Sequence, residues 1–516
     1  MKKILLMMVA FVATMSAFAQ NDLKVDGGWI KYFTPLSEGN TPNPVAAQAG
    51  DGSVYVATTQ NQDFTFADKK AQSSEIAGSS VIVKYDKDGS EQWSTPLWGA
   101  ATVTSMVADA DGTLYVVGSF SDEVNVVSSN GATLSMKSED VASAFVGKVN
   151  KDGGFDQIKS FTPYPDLDLL ETGMYYPEGL YLTPNVVKLN GDKLYIAASY
   201  NANVSELGWK AAYLNVYDVM YMENRSKGIF TVNKSDLSGA ASVLTVQSTE
   251  RISYNQVYPE ALNFDFDDKG NVCFAFVGFG DLTLATPDAS KNFTFETTDD
   301  ESGMKEHALV GGAINGTEIK ATVFHAGKNA GESIPYSIDG MYTKDGVIYL
   351  AGTTYGSFWF DVSISYDYTY AFVAAINMST SLSPWAYTTS RGEEGVKATV
   401  MLLTGEELHL GTTAGSFNVN TATGEMVADD EGEEVTDAII NAAAAWEDDY
   451  AVVVFVNENS VFVVSKDLSK DDTAVEDIDA SVDDDDVPAF DLLGQPIGPD
   501  YKGFAITKSG KKVYVK

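Results

Sequence analysis

The sequence holds one cysteine, Cys273, and three histidines in 516 residues. One thiol excludes a disulfide within the chain, even in an oxidising compartment. It lies in the apolar run NVCFAFVG and reads as a buried, inert group rather than a nucleophile. Basic residues are scarce, 34 Lys and Arg against 72 Asp and Glu, for a formal charge of −38. Such a surface repels phosphate backbones and anionic lipid heads, which disfavours nucleic-acid binding. No long apolar run follows the first twenty residues, so no transmembrane span is expected. Sequence signatures of enzymes are missing as well: GxSxG, HExxH, the P-loop and the sialidase-type Ser-x-Asp-x-Gly-x-Thr-Trp box. No catalytic residue, cofactor or metal site is assigned. His307 and His325 lie at equal distances from Gly316, the centre of an expected hairpin, and could face each other across it. Two imidazoles without a third ligand read as a structural pair rather than a zinc site.

The N-terminus has what a secretory signal needs. Lys2 and Lys3 precede an apolar stretch from Ile4 to Phe18, and Ala17-Phe18-Ala19 supplies small residues for cleavage before Gln20. The expected location is therefore exported: secreted or on the outer-membrane surface, with the periplasm also open. Hydrophobic content of 44%, with 7 Trp, 26 Tyr and 26 Phe, is ample for a packed core.

The main signal is a repeat. An acidic or Gly turn followed by an alternating strand recurs as DGSVYVATT (51–59), DGTLYVVGS (111–119), GDKLYIAAS (191–199), KGNVCFAFVG (269–278), DGVIYLAGT (345–353), GEELHLGTT (405–413) and DDYAVVVFV (448–456). A second strand follows each copy, as in SSVIVKYDKDG (79–89) and SAFVGKVNKDG (143–153). Strands such as ATVTSMVAD (101–109) precede the motif, and strands such as SEQWSTPL (90–97) close the unit. Period-two alternation with Gly, Asn and Asp punctuation argues β throughout. Four antiparallel strands repeated seven times predict an all-β fold, a seven-bladed β-propeller, with six or eight blades also open. The Asp86-Lys87-Asp88-Gly89 stretch reads as a tight turn rather than a calcium loop, since its acids vary between copies. Blade seven lacks a fourth strand, and GGWIKYFTPL (27–36), similar to QWSTPL of blade one, is expected to supply it.

These units, best seen in VKYDKDGSEQWSTPL, VADADGTLYVVGSF and SAFVGKVNKDG, resemble the β-propeller repeats of secreted bacterial proteins called SBBP repeats. The resemblance implies the fold and an extracytoplasmic setting, and it carries no fixed catalytic residues. The expected organisation is a signal peptide at 1–19, a propeller at 20–471, an acidic linker at 472–487 and a small C-terminal β tail at 488–516. The stretch 471–487 has nine acids and no basic residue. Within it, Asp472-Thr473-Ala474 resembles short O-glycosylation sites. The tail, with Phe490 to Gln495, Lys502 to Ile506 and Gly510 to Val513, reads as three short strands and resembles the C-terminal sorting region of type IX secretion cargo. That resemblance implies contact with secretion or surface-attachment machinery.

Strand order implies one plain face of tight turns and one elaborated face of long loops, and binding favours such loops. Two insertions, 162–184 and 199–224, are rich in aromatics. Tyr213, Tyr217 and Tyr221 have helical spacing, which would align them on one side of a helix. With Tyr175, Tyr176 and Trp209, and with Tyr366 and Tyr368 of SYDYTYAF (365–372), they are the candidate ligand-binding residues. The competing reading is that the rings pack the insertions onto the propeller. The function expected is a binding module for a glycan, a peptide or protein, or a surface component. A glycan-active hydrolase or lyase and a purely structural surface protein are the alternatives.

Overall fold

The computed structural model describes residues 23–25, 28–33, 44–59, 63–66, 69–72, 80–138, 141–175, 177, 179–216, 220–248, 262–279, 282–293, 307–316, 318–326, 334–355, 369–380, 382–388, 396–404, 406–413, 415–428, 439–447, 450–457, 460–467, 488–491, 503–507 and 512–515. The linker 472–487 lies outside them. Strand follows strand almost without interruption.

Each repeat forms its own antiparallel sheet in chain order. Blade one is Val45–Gln48, Val54–Thr59, Ser80–Tyr85 and Glu91–Leu97. Blade two is Ala101–Ala108, Leu114–Phe120, Ser143–Val149 and Phe155–Phe161. Blade three is Leu182–Asn190, Lys193–Tyr200, Ser226–Asn233 and Ala241–Ser248. Blade four is Leu262–Phe266, Val272–Phe279, His307–Asn315 and Glu318–Ala326. Blade five is Ile334–Lys344, Val347–Tyr355, Thr369–Asn377 and Leu382–Thr388. Blade six is Ala398–Thr404, Glu407–Thr412, Gly415–Asn420 and Met426–Ala428. Blade seven takes Ile439–Glu447, Tyr450–Asn457 and Ser460–Asp467, then Gly28–Phe33 from the N-terminus. The expected clasp is present, with Trp29 opposite Ser465 and Phe33 opposite Val461. The first strands of successive blades touch all the way round, blade seven against blade one included. The protein is a seven-bladed β-propeller.

The core lies between the blades, and period-two alternation builds it. On the second strand of blade one, Tyr55 and Ala57 face blade two, while Val54 and Val56 face blade seven, and all four are fully buried. Comparable clusters fill the joints between blades two and three, three and four, four and five, and five and six.

The third-to-fourth turns share one device. In blade one Asp86 Oδ1 accepts the N–H groups of Asp88 (3.0 Å) and Ser90 (2.8 Å). In blade two Asn150 Oδ1 accepts those of Asp152 (2.9 Å) and Gly154 (3.1 Å), and in blade six Asn420 Oδ1 accepts those of Ala422 (3.0 Å) and Thr423 (3.1 Å). Asp and Asn are there because their side chains satisfy the backbone of a tight turn.

Among the described residues, four blades send a hairpin out of the second-to-third connection: Asp63–Phe66 with Lys69–Gln72, Glu123–Val127 with Thr133–Lys137, Ala212–Val216 with Met220–Asn224, and Leu282–Ala285 with Ser290–Phe293. The blade-four hairpin joins the outer strand of blade three and makes a six-stranded sheet. The blade-two hairpin exchanges two backbone hydrogen bonds between Asn125 and Trp98, just beyond the outer strand of blade one. Hairpins of one blade thus cover the free edge of the blade before it, where unpaired backbone groups would otherwise recruit foreign strands.

Two expectations are corrected. The segment carrying Tyr213, Tyr217 and Tyr221 is not helical: Tyr213 and Tyr221 lie on the two strands of a β-hairpin, opposite Glu223 and Asn215, and Tyr217 falls outside the described residues. His307 and His325 are not opposite each other. The hairpin pairs Asn315 with Glu318, and a bulge then places His325 opposite Leu309, two residues from His307. At the C-terminus, Pro488–Asp491, Gly503–Thr507 and Lys512–Val515 form the three short strands expected of the tail.

Candidate binding surface

The two faces of the ring differ in what their residues are occupied with. On the tight-turn face the blades lock to one another. Trp93 on the outer strand of blade one donates its indole N–H to Lys151 O in the turn of blade two (2.8 Å). Trp29 does the same from blade seven to Lys87 O of blade one (3.0 Å), and Trp385 from blade five to Thr421 O of blade six (3.1 Å). The repeated tyrosine of the second strand adds a parallel set. Tyr55 Oη donates to Gly112 O and Tyr115 Oη to Lys234 O, each at 3.1 Å. Burial pushes both phenols up to about 12, so they remain neutral donors.

On the long-loop face, the insertion between blades two and three is stitched to the one within blade three. Tyr164 and Asn203 exchange backbone hydrogen bonds at 3.0 Å, and Asn201 Oδ1 accepts the N–H of Tyr181 (2.8 Å). Tyr175 is 1% exposed and meets Tyr213 edge-on at 5.3 Å. Trp209 is 3% exposed, stacks on Tyr200 at 4.6 Å, and donates its indole N–H to Ser242 Oγ (2.8 Å). Tyr175 and Trp209 are therefore internal packing groups that hold the insertion in place. Tyr176, Tyr217, Tyr366 and Tyr368 lie outside the described residues, and Tyr221 is placed only by its register.

What this aromatic platform presents is aliphatic. Asp166 caps a one-turn helix, Leu167–Glu171, accepting from the N–H groups of Asp168 and Leu169 (each 3.1 Å). Leu167 (60% exposed) and Leu170 (41%) lie on it, with Met174 (47%) just after. Among the described residues, these three and Tyr387 are the large hydrophobic side chains left in water. The rings of this insertion stand out in the sequence and its leucines do not, because aromatic content is visible in a sequence and exposure is not.

Polar chemistry collects along the ring axis. Lys188, Asp265 and Tyr342 occupy one register position on the first strands of blades three, four and five. Lys188 Nζ pairs with Asp265 Oδ1 at 2.7 Å and lies 5.4 Å from the centre of the Tyr342 ring, and Asp265 Oδ2 accepts the N–H of Thr343 at 2.7 Å. On the first strand of blade five Asp339 is the extra residue of a bulge between Ile338 and Gly340. Its Oδ2 accepts from Ser337 Oγ (2.7 Å) and more weakly from Thr353 Oγ1 (3.4 Å). Asp339 is solvent-exposed although it lies at the middle of an innermost strand. Enclosure by the surrounding blades nevertheless pushes its carboxyl up to about 6. Among the described residues no group of three or more His, Cys, Asp or Glu is placed to hold a metal, and no helix is long and apolar enough to cross a membrane.

No known family profile matches this chain, and no curated protein matches it in sequence. Among solved structures, the chain is similar to quinohemoprotein alcohol dehydrogenase from Comamonas testosteroni, at 11% identity over 86% of this chain and 74% of that one, with a TM-score of 0.38. It is similar to YCF48 from Cyanidioschyzon merolae, at 9% identity over 86% and 99%, with a TM-score of 0.38. Virginiamycin B lyase from Staphylococcus aureus, as its selenomethionine form, matches at 9% identity over 70% and 94%, with a TM-score of 0.29. The propeller assignment rests on strand order and ring closure in this chain itself.

Proposed function

We propose that the protein is an exported, non-enzymatic propeller that binds a peptide, protein or other surface component through the long-loop face. The observation that supports this most is the exposed aliphatic group Leu167, Leu170 and Met174, raised on an insertion whose aromatics are spent on fixing its position. Exposed apolar side chains grouped on a rigid support suit docking, because desolvating them favours association and little conformational freedom is lost. The signal-like N-terminus and the sorting-like tail support export, with the tail engaging secretion or attachment machinery.

The test is an array of peptides, glycans and surface polymers probed with the chain from Gln20 onward, beside the triple variant L167S/L170S/M174S. All three residues are exposed, so the variant should melt as the parent does. Binding that is lost in the variant supports the reading. A folded parent that binds nothing, or a variant that binds as well as the parent, overturns it.

A further inference from the structure

The exposed aliphatic group on the long-loop face is edged with charge, and the charge selects what it can hold. Within the one-turn helix Leu167–Glu171, Leu167 and Leu170 are three residues apart and share one side. Asp168 and Glu171 are also three apart, each one residue further along, so they form a row on one flank of the leucines. Met174 follows just beyond, and all five residues are exposed. Asp166 already caps the helix, and among the described residues neither Asp168 nor Glu171 has a hydrogen-bond or ion-pair partner for its carboxylate. The insertion 162–184 has four acidic residues and no Lys or Arg. The insertion stitched to it, 199–224, adds three acids against one base, Lys210.

Three other occupants suit this surface less well. A sugar ring stacks on an open aromatic face, and Tyr175 and Trp209 are buried. An anionic lipid surface meets like charge. So does a second copy of this chain, because a two-fold contact would set this acidic patch against itself.

We propose that the occupant is a basic amphipathic segment of a partner protein, with its apolar residues on Leu167, Leu170 and Met174 and its Lys or Arg against Asp168 and Glu171. The inference rests on the docking role proposed for the long-loop face and adds the chemistry of the partner. Burying the aliphatic side chains supplies affinity, and the acidic flank rejects acidic segments of the same apolar pattern.

The probes are an amphipathic peptide repeating Leu-Lys-Lys-Leu-Leu-Lys-Leu and its counterpart with Glu for each Lys. Both are titrated into the full chain at about 0.15 M salt, where long-range attraction is largely screened. The Lys peptide should bind, with a loss of about tenfold or more in affinity for L167S/L170S/M174S. D168N/E171Q, which removes the charges without changing shape, should lose about threefold or more. The control D88N/D268N removes two exposed turn acids on the opposite face and should change affinity by less than about twofold. No binding of the Lys peptide, equal binding of the Glu peptide, or equal losses in D168N/E171Q and D88N/D268N would overturn the inference. So would phosphatidylglycerol vesicles that are held through the same three aliphatic residues in preference to the Lys peptide. In each of those cases an array ligand that still depends on Leu167, Leu170 and Met174 leaves the docking role standing, and only the basic partner falls.

Discussion

The indole N–H of Trp93 in blade one is bonded to the carbonyl of Lys151 in blade two, and the ring lies flat against Gly153 of the same turn. Trp29 over Gly89 and Trp385 over Gly424 repeat the relationship at two other joints. The turn glycine thus has two duties, a positive φ and the absence of a side chain beneath an indole.

Those duties separate in two substitutions. Gly346 has φ 75° with nothing within 4 Å of a would-be Cβ, so Gly346→Ala meets only the backbone penalty, about 1–2 kcal/mol. Gly153 has φ 87°, and a Cβ there would sit 2.7 Å from Trp93 Cδ2. Gly153→Ala should cost about 3 kcal/mol or more, since the tryptophan must leave its bond to relieve the overlap. Denaturant unfolding of the two variants checks this, and equal costs would mean that the indole contributes nothing to the joint.

The N-terminal strand closes the ring, and Trp29 and Ile30 are its buried anchors. Ile30→Ala should destabilise by roughly 2–4 kcal/mol. Deletion through Phe33 should do more than weaken the fold. It leaves the Ser460–Asp467 strand as an open edge, and the expected outcome is self-association, read by light scattering. A monomeric, fully stable deletion product would show that the clasp is dispensable.

Much of this was legible because a propeller repeats its chemistry. The similarity of GGWIKYFTPL to QWSTPL marked the clasp, and it reflects a shared task, since Trp29 and Trp93 make the same bond. The spacing of Tyr213 and Tyr221 fits two structures: it aligns them on one face of a helix, and a hairpin that pairs Tyr221 with Asn215, two residues from Tyr213, puts them on one face of a sheet as well. Bulges were invisible. An extra residue that leaves no mark in the alternation moved His325 one place further from His307 and left Asp339 exposed on an innermost strand. The exposed leucines were missed because a sequence does not say which side of an insertion is already covered.

Cys273 is 2% exposed, and burial pushes its thiol up to about 11. At pH 8 roughly one molecule in a thousand would carry the thiolate. A thiol reagent at that pH should therefore leave the native protein unlabelled for hours and react at once in denaturant. Rapid labelling of the native state would place Cys273 outside the packed joint of blades four and five.

Asp339 predicts a pH dependence of definite sign. Its carboxyl rises from an ordinary 3.8 to about 6 in the folded chain, chiefly because enclosure by the blades disfavours the charge, and hydroxyl donation from Ser337 only partly offsets this. Between about pH 4 and pH 6 the folded state then binds more protons than the unfolded one, so stability falls as pH rises through that window. Asp339→Asn keeps the acceptor oxygen for Ser337 and removes the titration. It should flatten that fall and leave the variant more stable than the parent above pH 6, by on the order of 1 kcal/mol once the exposure of the side chain is allowed for. Urea unfolding of both proteins at pH 4 and pH 7 measures the difference. A parent that gains stability across the window, with Asp339→Asn abolishing the gain, would reverse the assignment and make Asp339 a stabilised anion, held by the nearby charge of Lys397.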